Sequence, residues 1–163
     1  MRIIGGTHKG RVLQVPAKLP VRPTTDFARE ALFNIIQNQF FISEVSLLDL
    51  FAGTGAISLE MASRGCTDIT SVDKHHGCVQ FIRKTADTWK LKGFKAIKED
   101  VFRFIDQCNS SFDIVFADPP YAVPNLADKP DLSLKKKLVR AGGWLILEHG
   151  QEHWFEQHPF FIQ

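Results

Sequence analysis

"SLLDLFAGTGAISLEMASRG" (residues 46–65) reads as strand, turn and helix in immediate succession. SLLDLF is a short apolar run of buried-strand type, and AISLEMASRG is a helical stretch closed by Gly65. Between them Gly53 and Gly55 let the backbone turn tightly and let a ligand approach without an intervening side chain. The pattern then repeats. DITSVD is a second strand and residues 76–92 a helix with Val79, Ile82, Ala86 and Trp89 on one face; KAIKED is a third strand and VFRFIDQC a short helix. FDIVFAD is a fourth strand, and a helix around 132–140 leads through Gly142 and Gly143 into WLILEH, the fifth. Alternation of this kind predicts an α/β fold, a parallel Rossmann-like sheet with helices on both faces.

Upstream, RIIGGTHKGRVLQVP places two short β-branched runs around GGTHKG, a β-hairpin pattern. KLPVRPTT is a proline-punctuated connector expected to be extended. Thr25 or Asp26 then caps a helix whose apolar positions are Ala28, Leu32, Ile35 and Ile36. At 163 residues, 44% hydrophobic and 23% charged, the chain suits one soluble globular unit, with residues 1–25 as hairpin and connector and 26–163 as the main domain. Its apolar runs are far short of a membrane span and no signal segment follows Met1, so a cytoplasmic protein with no membrane partner is expected. Cys66, Cys78 and Cys108 lack metal-ligand spacing and read as thiols; no histidine motif for a metal is present.

In open parallel sheets, ligands bind outside the carboxyl ends of the strands. Three such ends carry unusual chemistry: DLFAGTG, SVDKHH and ADPPYA. Asp73 follows Gly53 by twenty positions and can accept hydrogen bonds from both hydroxyls of a ribose. A nucleoside cofactor is therefore expected. The third glycine of a dinucleotide fingerprint is replaced by Ser58, and Asp49 ahead of the turn repels a pyrophosphate but suits an ammonium group. S-adenosyl-L-methionine, with its amine, sulfonium and ribose, fits that charge pattern better than NAD.

At the fourth strand end, Asp118 supplies a carboxylate and Pro119 a carbonyl, held stiffly by Pro120. Aimed at the two N–H groups of an exocyclic amine, these acceptors localise its lone pair toward an electrophile, and Tyr121 can stack on the base. Positioning, rather than a strong base, would then supply much of the acceleration. The net charge is only +2, but residues 1–25 hold Arg2, Lys9, Arg11, Lys18 and Arg22 and no acid. Such an arm suits either phosphate contacts, with Arg2, His8, Lys9 and Arg11 as the candidate nucleic-acid-binding residues, or a solvated hairpin surface.

The succession RPTTD, DLFAGTG, VDK and DPPY, after a short basic hairpin, resembles the RsmD family of bacterial 16S ribosomal RNA guanine-N2 methyltransferases. The likeness runs from MRIIGG to LILEHG, and RPTTDFAREALFN is its most discriminating stretch. It implies a class I methyltransferase domain over residues 26–163, S-adenosylmethionine as cofactor, and 16S ribosomal RNA as partner, either free or within the assembled small subunit; a monomer is expected. It further implies that Asp49, Phe51, Ala52, Gly53, Thr54 and Gly55 line the methionine half of the cofactor. Asp73 and Lys74 would flank its ribose and adenine, and Asp100 and Val101 meet the adenine edge. Arg22, Pro23 and Thr24 would close over the methionine end, and Asp118, Pro119, Pro120 and Tyr121 would hold the guanine. The family usually has Glu where Asp73 stands, and a final strand hairpin that is short or missing here. Competing expectations are an amino-methylase acting on DNA adenine or protein glutamine, and a non-catalytic relative that binds ribosomal RNA.

Overall fold

The computed structural model describes residues 1–21, 25–120 and 137–149. Among these residues five parallel strands form one sheet: β1 (Ser46–Leu50), β2 (Asp68–Asp73), β3 (Phe94–Lys98), β4 (Phe112–Ala117) and β5 (Val139–Leu147). Their order is β3-β2-β1-β4-β5, so the winding reverses between β1 and β4. Every residue of β1 is buried, as a central strand covered on both faces must be. The predicted Rossmann-like fold is correct.

Helices α1 (Asp26–Gln39), α2 (Ala56–Ser63) and α3 (His76–Thr88) cover one face of the sheet, and α4 (Val101–Gln107) packs on the other. On the first face Phe33, Ile36, Ile57 and Met61 pack against Leu47, Ile69 and Ile114, while Val79 and Ile82 meet Ala96. On the second, Val101 and Ile105 meet Leu48, Leu50, Val72 and Val115. The alternation of Leu47 and Leu48 between these clusters is the period-2 rule of a strand. None of the described helices is long and apolar enough to cross a membrane.

Several local expectations need correction. Thr25 caps α1, its hydroxyl accepting from Ala28 N, but Ile35 is exposed and Phe33 is the buried position. Residues 16–19 turn, with Leu19 N bonded to Pro16 O, so the connector is not uniformly extended. α3 stops at Thr88 because Lys90 takes a left-handed φ of 53° and Gly93 one of 64°. Val139 and Arg140 belong to β5 rather than a helix, since Val139 pairs with Phe112 at the start of β4. Gly142 and Gly143 lie inside that strand, where the register shifts; a Cβ on Gly143 would sit 2.5 Å from Asp113 O. Residues 132–136 and 150–163 lie outside the described residues.

The hairpin is reduced to one antiparallel bridge, Arg2 to Val12, around a 3-10 turn at Gly6–His8. Its outer edge is occupied differently. Ile4 N and Gly5 N donate to the buried Glu60 carboxylate of α2 at 2.9 and 2.7 Å, and His8 N donates to Ser63 Oγ at 2.9 Å. Met1 Sδ lies against Thr54 Oγ1, so the arm runs along α2 from its glycine turn to its far end. Gly6 makes this seat possible: its φ is +74°, and a Cβ there would lie 1.8 Å from Ser63 O.

Candidate active site at the switch point of the sheet

A cleft of about 410 Å³ opens at the carboxyl ends of β1, β2 and β4, at the point where the winding reverses. Its walls include Asp49, Phe51, Ala52, Gly53 and Thr54 from β1 and the turn after it, and Asp73 and Lys74 from β2. Asp100 and Val101 at the head of α4, and Asp118, Pro119 and Pro120 after β4, also belong to the wall, as do Pro20 and Val21 of the connector. The structure thus brings together three strand ends singled out from sequence. Gly55 is the α2 N-cap, with φ of 71° and the Ile82 side chain 2.8 Å from where its Cβ would be. Arg22, Pro23, Thr24 and Tyr121 lie outside the described residues.

The turn is ordered from within. Phe51 is left-handed at φ 60° and Ala52 N donates to Val72 O. Asp73 Oδ2 accepts from Gly53 N at 2.8 Å and Oδ1 from His75 N at 2.7 Å, which ties the acid of β2 to the glycine turn. Each oxygen keeps a second lone-pair direction for a ligand. Asp100 is the α4 N-cap: its Oδ1 accepts from Phe102 N and Arg103 N. Phe102 meets Phe51 edge-on at 5.9 Å, and both rings line the cleft.

Asp49 is the electrostatic centre. Its Oδ2 accepts from Ser58 Oγ at 2.5 Å and Ser58 N at 3.3 Å, and Ser58 Oγ meets Ser71 Oγ at 2.6 Å. Burial pushes its carboxyl up to about 7 against those bonds, and the Asp118 and Asp73 charges push the same way. Ser58, noticed in the sequence only as a missing glycine, is therefore the partner that orients Asp49. Phe102, His75 and Cys78 were also overlooked as wall residues. The position of Phe102 just after Asp100 and that of His75 just after VDK were the available signals. Burial, then the Asp73 charge, raises the Cys78 thiol to about 11, so it is a packing thiol, not a nucleophile.

The candidate RNA-binding residues lie along the arm. Arg2 is ion-paired with Asp26 at 2.9 Å and remains largely exposed. Lys9 and Arg11 are exposed. His8 stacks on Trp89 with ring centroids 4.3 Å apart, and Arg11 lies over the same indole at 5.6 Å.

A family model described as conserved hypothetical protein 95 matches residues 1–162. The ribosomal RNA small subunit methyltransferase D of Escherichia coli K12 is 37% identical over 148 residues, 91% of this chain and 71% of that protein. The chain belongs to the RsmD family. YlbH of Bacillus subtilis is 32% identical over 156 residues, covering 93% of this chain and 84% of its own. The solved yhhF of Escherichia coli superposes with a TM-score of 0.83 at 31% identity, covering 94% of this chain and 84% of that one. Family membership makes the protein a methyltransferase that uses S-adenosylmethionine.

The cleft fits that cofactor on its own chemistry. Among the described residues it offers the carboxylates of Asp49, buried behind the glycine turn, and Asp73, at a strand end beside that turn, which suit an ammonium group and ribose hydroxyls and would repel the pyrophosphate of NAD.

Proposed function

We propose that the protein methylates the exocyclic N2 amine of a guanine in 16S ribosomal RNA. What carries this reading is the juxtaposition of Asp118, Pro119 and Pro120 with Asp49, Asp73 and the glycine turn in a single cleft. The names of the relatives support ribosomal RNA as substrate.

The bound cofactor supplies an electrophilic methyl group on a sulfonium centre. Asp49 faces its amine, Asp73 takes the ribose hydroxyls, and Lys74, Asp100 and Val101 border the adenine. Phe51, Ala52, Gly53, Thr54 and Gly55 would shape the methionine half; Arg22, Pro23 and Thr24, outside the described residues, are proposed as further cofactor contacts by the family resemblance alone. Asp118 and the Pro119 carbonyl accept the two N–H groups of guanine, which turns the nitrogen lone pair out of conjugation and toward the methyl. As the N–C bond forms, the methyl–sulfur bond would break and S-adenosylhomocysteine leave as a neutral thioether; the methylated nitrogen would then be acidic and lose its proton to solvent, so no strong base would be needed. Tyr121, outside the described residues, is the proposed stacking partner of the base. The proposed partner is 16S ribosomal RNA within the assembled small subunit, met by a monomer at the arm residues Arg2, His8, Lys9 and Arg11.

The test is transfer from methyl-labelled S-adenosylmethionine to small subunits, and separately to free 16S RNA, from cells lacking the protein. Label is expected on the N2 of one guanine. Label on DNA or protein alone, or on another atom of the RNA, would refute the assignment.

Asp49 gives a second expectation. Its pKa is raised in the folded protein, so the folded state binds the extra proton and apo stability falls as pH rises from about 4 toward 7. A ligand ammonium favours the ionised carboxylate. Binding of S-adenosylhomocysteine at pH 6 should therefore release close to one proton, and affinity should rise with pH through about 7. Calorimetry in buffers of different ionisation enthalpy reads this directly, and Asp49→Asn should abolish it. Binding without proton release in the wild type would contradict this role for Asp49.

A further inference from the structure

The net charge of +2 conceals a strong separation. Residues 1–25 and 83–98 together hold eleven Lys and Arg and one acid, whereas the other 122 residues hold nine and seventeen. The two basic segments are far apart in sequence, and the fold joins them. Trp89, the C-cap of α3, takes His8 against its ring and Arg11 over it, so the arm's tip is fastened to the end of α3. Lys84, Lys90 and Lys92, all exposed, surround that junction in the chain, and the left-handed turn at Lys90 ends the helix there.

This junction is remote from the cleft. His75 and Cys78, at the start of α3, line the cleft, while Trp89 caps its other end. Thirteen residues of helix span about 20 Å. The arm repeats the same geometry along α2, with Met1 near Thr54 and His8 on Ser63.

We infer that the arm tip and the end of α3 form one docking surface for the sugar-phosphate backbone of a folded RNA, with Lys84, Lys90 and Lys92 as contacts and Trp89 as the residue that holds the two halves together. The inference rests on the proposed RNA substrate and extends it. Contact about 20 Å from the reacting nucleotide requires a substrate several nucleotides long; a free nucleoside cannot reach both points, whereas 16S RNA presents backbone phosphates at that separation. Backbone contacts of this kind position a substrate without reading its sequence.

The experiment measures binding of a 16S RNA fragment as a function of salt, with cofactor affinity followed in parallel. Neutralising Lys90→Gln with Lys92→Gln should flatten the slope of log K against log salt by about two, one for each lost phosphate contact. Affinity for S-adenosylhomocysteine should be unchanged, and the double Arg variant at the same positions should keep the slope. Lys84→Gln with Lys92→Gln, which leaves the left-handed residue intact, should act alike if Lys90→Gln disturbs folding. Trp89→Ala should weaken RNA binding although it removes no charge, with Trp89→Phe restoring most of it. An unchanged slope in both Gln pairs, with cofactor still bound, would show a solvated face and overturn the inference. Methyl transfer by the wild type is scored separately: its absence defeats the proposed reaction, while the slope alone decides the docking surface.

Discussion

Asp118→Ala is expected to bind S-adenosylhomocysteine nearly as the wild type does and to transfer methyl about a hundredfold to ten-thousandfold more slowly. The two effects separate because Asp118 stands at the end of β4, across the cleft from the turn that Asp73 holds through Gly53 N. Deleting its carboxylate removes an acceptor for the target amine and leaves Asp49, Asp73 and the glycines in place. One secondary change has a defined sign. The Asp118 charge helps to raise the Asp49 pKa, so its loss should move the proton release on cofactor binding to lower pH. Single-turnover rates at saturating RNA give the chemical effect without the binding steps. A rate close to wild type would mean that the acid and two prolines serve only to end the strand.

The largest stability loss is expected from Glu60→Ala. Glu60 is fully buried and accepts from Ile4 N, Gly5 N and Arg64 Nε, the last at 2.9 Å with Arg64 only 9% exposed. Removing the carboxylate leaves three N–H donors without their acceptor, one of them on the partly buried Arg64, which keeps Gln37 and the Phe33 ring; breaking a buried pair by truncating one partner costs about 3–5 kcal/mol. The arm can peel away and rehydrate its two amides, which favours the low end, about 3 kcal/mol. For a domain of this size that is roughly 6–12 °C in melting temperature. Thermal unfolding checks it, and a loss below about 1 kcal/mol would mean that the arm is seated by its apolar contacts, Ile3 above all, instead of by Glu60.

The sheet and its ligand end were legible because they depend on short-range patterns. Apolar runs of strand length, the glycines at 53 and 55, and acids at the strand ends 73 and 118 each signal locally. The errors share a different cause. Val139 and Arg140 look helical in isolation, and only the partner strand at Phe112 makes them β. Ile35 and Phe33 are two residues apart in the sequence, and only the direction of the sheet decides which is buried. Ser58 looked like a defect in a glycine fingerprint; its value comes from Asp49 and Ser71, neither adjacent in sequence. Nor does composition reveal that Trp89, apparently a core position of α3, is taken up by His8 and Arg11 from the far end of the chain.

The seat of the arm on α2 also sets an order of events during biosynthesis. The donors at Ile4 and Gly5 meet an acceptor 56 and 55 residues further along, at Glu60. At about 5–20 residues per second, the arm waits roughly three to eleven seconds after it is made before its acceptor is synthesised. Until then it is a basic, glycine-rich tail without a binding groove. The arm's half of the basic surface is thus made well ahead of the acid that seats it, and the half at Lys84, Lys90 and Lys92 follows later still.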